Sequence, residues 1–174
     1  MTGPSLLEPA PIIVTALFGR EDAAWLTGLR RRYFPPERNH LDAHLTMFHH
    51  LSPDLARELK QRLTAETRGV APPAARIGGV VSLGRGVAFR IEAPELAAIR
   101  ARLADAFALM LVPQDRAGWR PHVTLQNKVE PAIVRATQSE IEADFAPRPL
   151  AIAGLAAWWY RGGPWEPLSR HMFA

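Results

Sequence analysis

A chain of 174 residues is long enough to bury a core of its own, and 48% apolar against 22% charged residues is the balance of a globular protein, not a disordered one. The 21 Lys and Arg outweigh 17 Asp and Glu by four charges, and arginine far outnumbers the two lysines, Lys60 and Lys128. Arginine's planar fork suits phosphate, although a GC-rich genome would produce the same usage. The absence of cysteine excludes disulfide staples, thiolate nucleophiles and cysteine-ligated zinc.

Residues 1–10 read as an irregular lead-in. The apolar, β-branched run from Ile12 to Phe18 reads as a buried strand; it is too short to span a bilayer, and Glu8, Pro9 and Pro11 interrupt any signal-peptide core. A cytoplasmic protein with no membrane partner is therefore expected. A helix follows over about Glu21 to Tyr33, with Trp25, Leu26 and Leu29 on one face. Arg30 to Arg32 lie near its C-terminal end, where cations complement the helix dipole, and Pro35-Pro36 stops it.

The next strand spans about His44 to Leu51. Ser52 is placed to cap the following helix, with Pro53 at its first position and Leu55, Leu59 and Leu63 recurring at spacing four as far as Thr67. Strands over about Ala75 to Leu83 and Val87 to Glu92 flank Gly84-Arg85-Gly86, a hairpin turn. A helix from Pro94 to about Leu109 carries the stripe Leu96, Ile99, Leu103, Phe107. A loop then leads to a strand from His122 to Val129 and a helix from Pro131 to about Phe145. Two closing strands, Leu150 to Tyr160 and Trp165 to Phe173, are joined through Gly162-Gly163-Pro164.

The elements alternate in two similar passes. Each pass holds a strand that opens His-x-Thr and precedes a Pro-started helix: His44-Leu45-Thr46 and, 78 residues later, His122-Val123-Thr124. This pattern predicts an α+β fold in one domain over 1–174, with two pseudo-symmetric lobes whose mainly antiparallel sheets face a central groove, helices outside. Strand alternation places His44, Thr46, Phe48 and His50 on one face, and His122, Thr124, Gln126 and Lys128 on one face of the second strand. Two histidines over one phosphate can divide proton removal and proton donation, since imidazole does either near neutral pH. The threonine hydroxyls can meet the non-bridging oxygens as charge builds there. One His-x-Thr alone is a common accident of strands; the matched pair carries the signal.

Around the motifs, Phe48 is a candidate to stack on a base or to pack in the core, and Lys128 to touch phosphate. Arg116, Trp119 and Arg120 lead into the second motif, and Arg120 is taken as a substrate-binding residue. Trp158 and Tyr160 share a face at the end of the penultimate strand, and Tyr160 is the candidate there. His40, His49 and His50 cluster near His44. A histidine metal site is the alternative they raise, weakened by the lack of a His-Glu-x-x-His helix and by Asp42 being the only nearby carboxylate.

The strings His44-Leu45-Thr46-Met47 and Pro121-His122-Val123-Thr124-Leu125 resemble the paired signature of the 2H phosphoesterase superfamily, particularly its bacterial 2′-5′ RNA ligase-like branch. The resemblance implies a duplicated bilobal fold with His44, Thr46, His122 and Thr124 in the central groove. It also implies metal-independent, cofactor-free opening of 2′,3′-cyclic phosphates to 2′-phosphates, on nucleotides or RNA ends, with 2′-5′ RNA ligation in some relatives. Met47 departs mildly from the aliphatic residue usual there. In the family the first histidine is often the acid and the second the base for ring opening, and ligation reverses them. A monomer is expected. The alternative is an RNA-end- or phosphate-binding module that keeps the groove without turnover.

Overall fold

A computed structural model describes residues 9–174; of the lead-in, residues 1–8 lie outside the described residues. The strands are β1 (Ile12–Phe18), β2 (Leu45–Leu51), β3 (Arg76–Ser82), β4 (Val87–Glu92), β5 (His122–Gln126), β6 (Arg148–Pro149), β7 (Ile152–Trp159) and β8 (Glu166–Met172). The helices are α1 (Arg20–Tyr33), α2 (Ala56–Thr67), α3 (Pro94–Ala106), α4 (Pro113–Arg116) and α5 (Pro131–Ala143). The α+β class follows from the two hydrophobic periods. The stripe of α3 is buried at Leu96, Ile99 and Leu103, and Phe107 packs just past its end. Ser52 Oγ accepts from the Asp54 amide at 3.3 Å, and Pro53 opens a 3₁₀ turn from which α2 continues. At Gly84 the hairpin between β3 and β4 takes a φ of +86°, and a Cβ on Gly86 would overlap the Gln126 carbonyl, so both positions call for glycine.

All strands pair antiparallel in one sheet of order β6-β3-β4-β5-β2-β1-β7-β8. The two sheets expected from the sequence are therefore joined. Their junction is narrow: β2 and β5 share a single register pair, Leu45 with Val123, and both side chains are fully buried. Outward from this seam the order of elements repeats. Next to β2 lies β1 and next to β5 lies β4, each the strand that precedes the motif strand in the chain. Beyond them the strands exchange: β3, which follows β2 in sequence, pairs with β4, while β7 pairs with β1. One continuous core then unites both halves, including Ile12, Leu26, Leu45, Leu59, Phe89, Leu96 and Val123.

Candidate active site

Because Leu45 and Val123 are paired and point into the core, their neighbours His44, Thr46, His122 and Thr124 project from the opposite face. Antiparallel register then sets His44 across from Thr124 and Thr46 across from His122. The four form a square with the histidines on one diagonal, where neighbours in such ladders lie roughly 7–8 Å apart and their Cβ atoms somewhat closer. All four side chains are half-buried.

Both imidazoles are oriented in the same way. Nδ1 of His44 lies 2.9 Å from the Asp42 carbonyl, and Nδ1 of His122 lies 2.9 Å from the Arg120 carbonyl. A carbonyl can only accept, so each Nδ1 carries the proton and each Nε2 is left to take or give one. Burial pulls the His44 imidazole down to about 4; the Asp42 carbonyl opposes this, while Arg30, His122 and His49 add to it. His44 is thus neutral at physiological pH.

Immediately after each threonine the strand takes in an extra residue. Thr15 pairs with Thr46 but Val14 pairs with Phe48; Ala88 pairs with Thr124 but Val87 pairs with Gln126. These matching bulges turn Met47 and Phe48, and likewise Leu125 and Gln126, both into the core. Simple alternation therefore fails past the motifs. Phe48 is fully buried under the Arg100 guanidinium, 4.5 Å from its ring, and offers no surface for a base. Gln126 is buried against Thr137, donating to its hydroxyl at 2.8 Å. The strand ends there, and Lys128 sits exposed in a turn at φ +64°, off the motif face.

A second irregularity in β2, where Ile12 pairs with Leu51, leaves His49 and His50 both exposed. Their backbone amides donate to the two oxygens of Asp115, each at 2.9 Å, and His49 Nδ1 lies 3.3 Å from the same carboxylate. Burial alone would raise the Asp115 carboxyl; the hydrogen bonds from the His49 ring and from both amides outweigh it and hold the group low. His49 is thus held by Asp115 at the edge of the cavity shared by Thr46 and His122, while His50 is exposed outside that cavity. Among the described residues no three His, Asp or Glu converge as a metal site.

The two histidines open onto different spaces. A cavity of about 460 Å³ adjoins His44, walled by Thr15, Thr27, His40, Trp158, Trp165 and Arg170. The Trp165 ring meets the His44 ring edge-on at 4.6 Å, and Trp158 donates its indole N–H to Thr15 Oγ1 at 2.9 Å. These two tryptophans, rather than Tyr160, bring the final hairpin to the site. Tyr160 is 43% exposed just past β7 and lines neither motif cavity. Its strand-mate Trp158 is the better signal, while Trp165 follows the turn and has no alternation to read. A smaller cavity of about 160 Å³ adjoins His122 and Thr46, bordered by Arg120, Gln114 and Trp119. Arg120 thus sits at the mouth of the second motif, as its place in the sequence suggests; Arg116 is exposed and outside that cavity.

An antiparallel sheet with paired His-Thr faces defines a class of protein, and solved structures share its fold. The chain is similar to E. coli LigT complexed with 3′-AMP, at 17% identity and a TM-score of 0.60, with 96% of this chain and 99% of that chain covered. TT0787 of Thermus thermophilus gives 18% identity and a TM-score of 0.59 over 94% and 97%. E. coli LigT complexed with NADP+ gives 15% and 0.60 over 95% and 99%. No curated protein sequence matches the chain. The family model of the 2′-5′ RNA ligase superfamily matches residues 18–164, and the chain belongs to that family, a branch of the 2H phosphoesterases. Membership supports a phosphoesterase or RNA-ligase-like function. No described helix is long and apolar enough to cross a membrane.

Proposed function

We propose that this protein is a metal-independent phosphoesterase that opens 2′,3′-cyclic phosphates on nucleotides or RNA ends, within one domain of two pseudo-symmetric lobes. The observation that carries the reading is the diagonal pair of imidazoles, each with Nδ1 held by a carbonyl and Nε2 turned free. Catalysis here divides two proton transfers about one phosphorus. His44, kept neutral by burial, takes a proton from the attacking water through Nε2. Water oxygen bonds to phosphorus, the P–O3′ bond breaks, and His122, as imidazolium, donates to the departing 3′ oxygen, leaving a 2′-phosphate. This order of roles is the reverse of the one implied by the resemblance for ring opening. Thr46 and Thr124 complete the square and donate to the non-bridging oxygens as charge grows. Arg120, at the edge of the smaller cavity, neutralises a phosphate there, and the tryptophan-walled cavity beside His44 takes the nucleoside.

E. coli LigT has been solved in complex with 3′-AMP, phosphate, ATP and NADP+, ligands of that protein that fit a nucleotide-sized site here. The test is incubation of purified protein with 2′,3′-cyclic nucleotides in EDTA, with the product's phosphate position read by phosphorus NMR. Release of the 2′-monophosphate is expected, lost in both His44→Ala and His122→Ala. Activity surviving in both variants would dismiss the two-histidine mechanism. Tight binding of RNA ends without product would favour the binding-module alternative.

A further inference from the structure

The seam between β2 and β5 has one register pair, yet it must hold four side chains in a fixed square. Around that pair the strand carbonyls are met by side chains instead of by a ladder. Arg30 of α1 donates from Nη1 to the Thr124 carbonyl at 3.3 Å, and from Nε to Asn39 Oδ1 at 2.9 Å. Arg100 of α3 donates from Nε to the Met47 carbonyl at 2.9 Å, and from Nη2 to the Asp115 carbonyl at 2.8 Å. The Trp119 indole donates to the Thr46 carbonyl at 3.0 Å. Each arginine is buried, 5% and 8% exposed, and each lies over an aromatic ring, Phe34 at 4.1 Å and Phe48 at 4.5 Å.

The arrangement crosses over. The helix that precedes β2 in the chain sends its arginine to β5, and a helix that precedes β5 sends its arginine to β2. Burying a guanidinium costs free energy unless its donors are used, and an unpartnered strand carbonyl in the core costs free energy too. Both costs are met together where the strands part. A surface cation, such as neighbouring Arg31 or Arg32, would suffice for helix-dipole compensation; Arg30 is the one turned inward.

We propose that Arg30 and Arg100 are positioning residues: a crossed pair of buried guanidiniums that replace the missing ladder at the seam and so set the spacing of the two His-Thr pairs. That they position groups for phosphoester chemistry rests on the function proposed above; that they hold the seam does not. Arg30 has a second effect through its charge. The charged groups bearing on His44 are Arg30, His122 and His49, with Asp42 acting through its carbonyl, and Arg30 disfavours the imidazolium. The fork and the charge can therefore be separated by substitution. Lysine keeps the charge and loses the two-armed geometry; glutamine loses both.

The experiment compares Arg30→Gln, Arg30→Lys, Arg100→Gln and Arg100→Lys with the wild type, each checked for cooperative thermal unfolding. Two readouts need no substrate. Amide hydrogen exchange at Leu45 and Val123 is expected to quicken by about tenfold in all four variants, with Leu155 on β7 unchanged, as for a local opening. The His44 imidazole, titrated by NMR, is expected to move its midpoint upward in Arg30→Gln and to stay in place in Arg30→Lys and both Arg100 variants. On a 2′,3′-cyclic nucleotide, kcat is expected to fall on the order of 100-fold in all four variants, lysine giving no rescue, with KM little changed. If the glutamine variants fail to fold, the lysine variants carry the test. Seam exchange and kcat within twofold of wild type in Arg30→Lys and Arg100→Lys would overturn the proposal. A wild type without turnover would dismiss the phosphoesterase reading alone, since seam exchange and the His44 titration would still decide the brace.

Discussion

The strands β2 and β5 are built alike and surrounded differently. Both carry His-x-Thr at their start, both lock Nδ1 to the carbonyl two residues back, both bulge straight after the threonine, and both take a buried arginine from a helix of the opposite half. What lies around them diverges. His44 sits against Trp165 in a wide aromatic cavity, with Arg30 near enough to disfavour its charge; His122 borders a narrow one beside Arg120. The shared scaffold orients the two imidazoles alike while their surroundings differ, and the proposed function rests on that difference to give them separate tasks. Unequal surroundings push the pKa values of two like groups apart and so favour one as base and the other as acid.

The largest expected effect tests that division directly. His44→Ala and His122→Ala should each lower kcat/KM by about 10²–10⁴-fold on a 2′,3′-cyclic nucleotide. On a diester whose leaving group is p-nitrophenolate, which needs no proton to depart, His122→Ala should recover most of its loss and His44→Ala none. Steady-state rates on the two substrates measure this. Recovery by His44→Ala instead would exchange the roles.

The next effect concerns the support of β2, which β5 lacks. Asp115 holds the His49 and His50 amides where the strand leaves register, so Asp115→Asn should cost about 2–3 kcal/mol in urea unfolding. Its carboxyl is depressed in the folded state. The stabilisation is therefore complete above the ordinary carboxylate pKa and is lost as pH falls through the lower folded value. The wild type should lose stability over that acidic range, and the Asn variant should lose less. Equal pH dependence in the two proteins would remove Asp115 from this role.

Much of this is legible in the sequence, and the rest is hidden for physical reasons. Helices and strand starts are readable because burial imposes periods of 3.6 and 2 over several residues, as in Leu96-Ile99-Leu103. The square of His44, Thr46, His122 and Thr124 is readable because alternation holds across three residues. A bulge inserts one residue without any residue type that announces it, so alternation assigns Phe48 and Gln126 to the wrong face. It misplaces Lys128 because β5 stops early, in a left-handed turn. Arg30 is indistinguishable from Arg31 and Arg32 as a residue type; only the Thr124 carbonyl and Asn39 single it out. The exchange of β3 and β7 between halves depends on long-range pairing that local patterning does not encode.

A smaller effect separates the two cavities. Trp165→Ala should let water reach His44 and raise its pKa from about 4 towards the ordinary value of about 6.5. In its proposed role as base His44 must be unprotonated, so that role predicts an acidic limb of kcat/KM near pH 4 in the wild type, moved upward in the variant. Loss of the indole face should also raise KM by about tenfold if the nucleoside stacks there. A pH profile and a KM measured on the same variant report the two effects separately. An unmoved limb would mean that Trp165 does not keep His44 dry.

The smallest effect lies at the bulges themselves. Phe48 and Gln126 occupy the same place in their strands, one apolar, the other buried with Oε1 lacking a partner. Phe48→Ala, the reference here, should cost about 3–5 kcal/mol as a core truncation. Gln126 differs, because its amide donates to Thr137 while its carbonyl oxygen receives nothing. Removing only one partner would strand the other; replacing both with apolar groups of similar shape removes the orphan as well. Gln126→Met combined with Thr137→Val should therefore leave the stability in urea unfolding within about 0.5 kcal/mol of wild type, or raise it. A loss comparable to that of Phe48→Ala would show that the Gln126 amide holds β5 in a way Phe48 does not hold β2, and the two bulges would no longer be equivalent supports for their threonines.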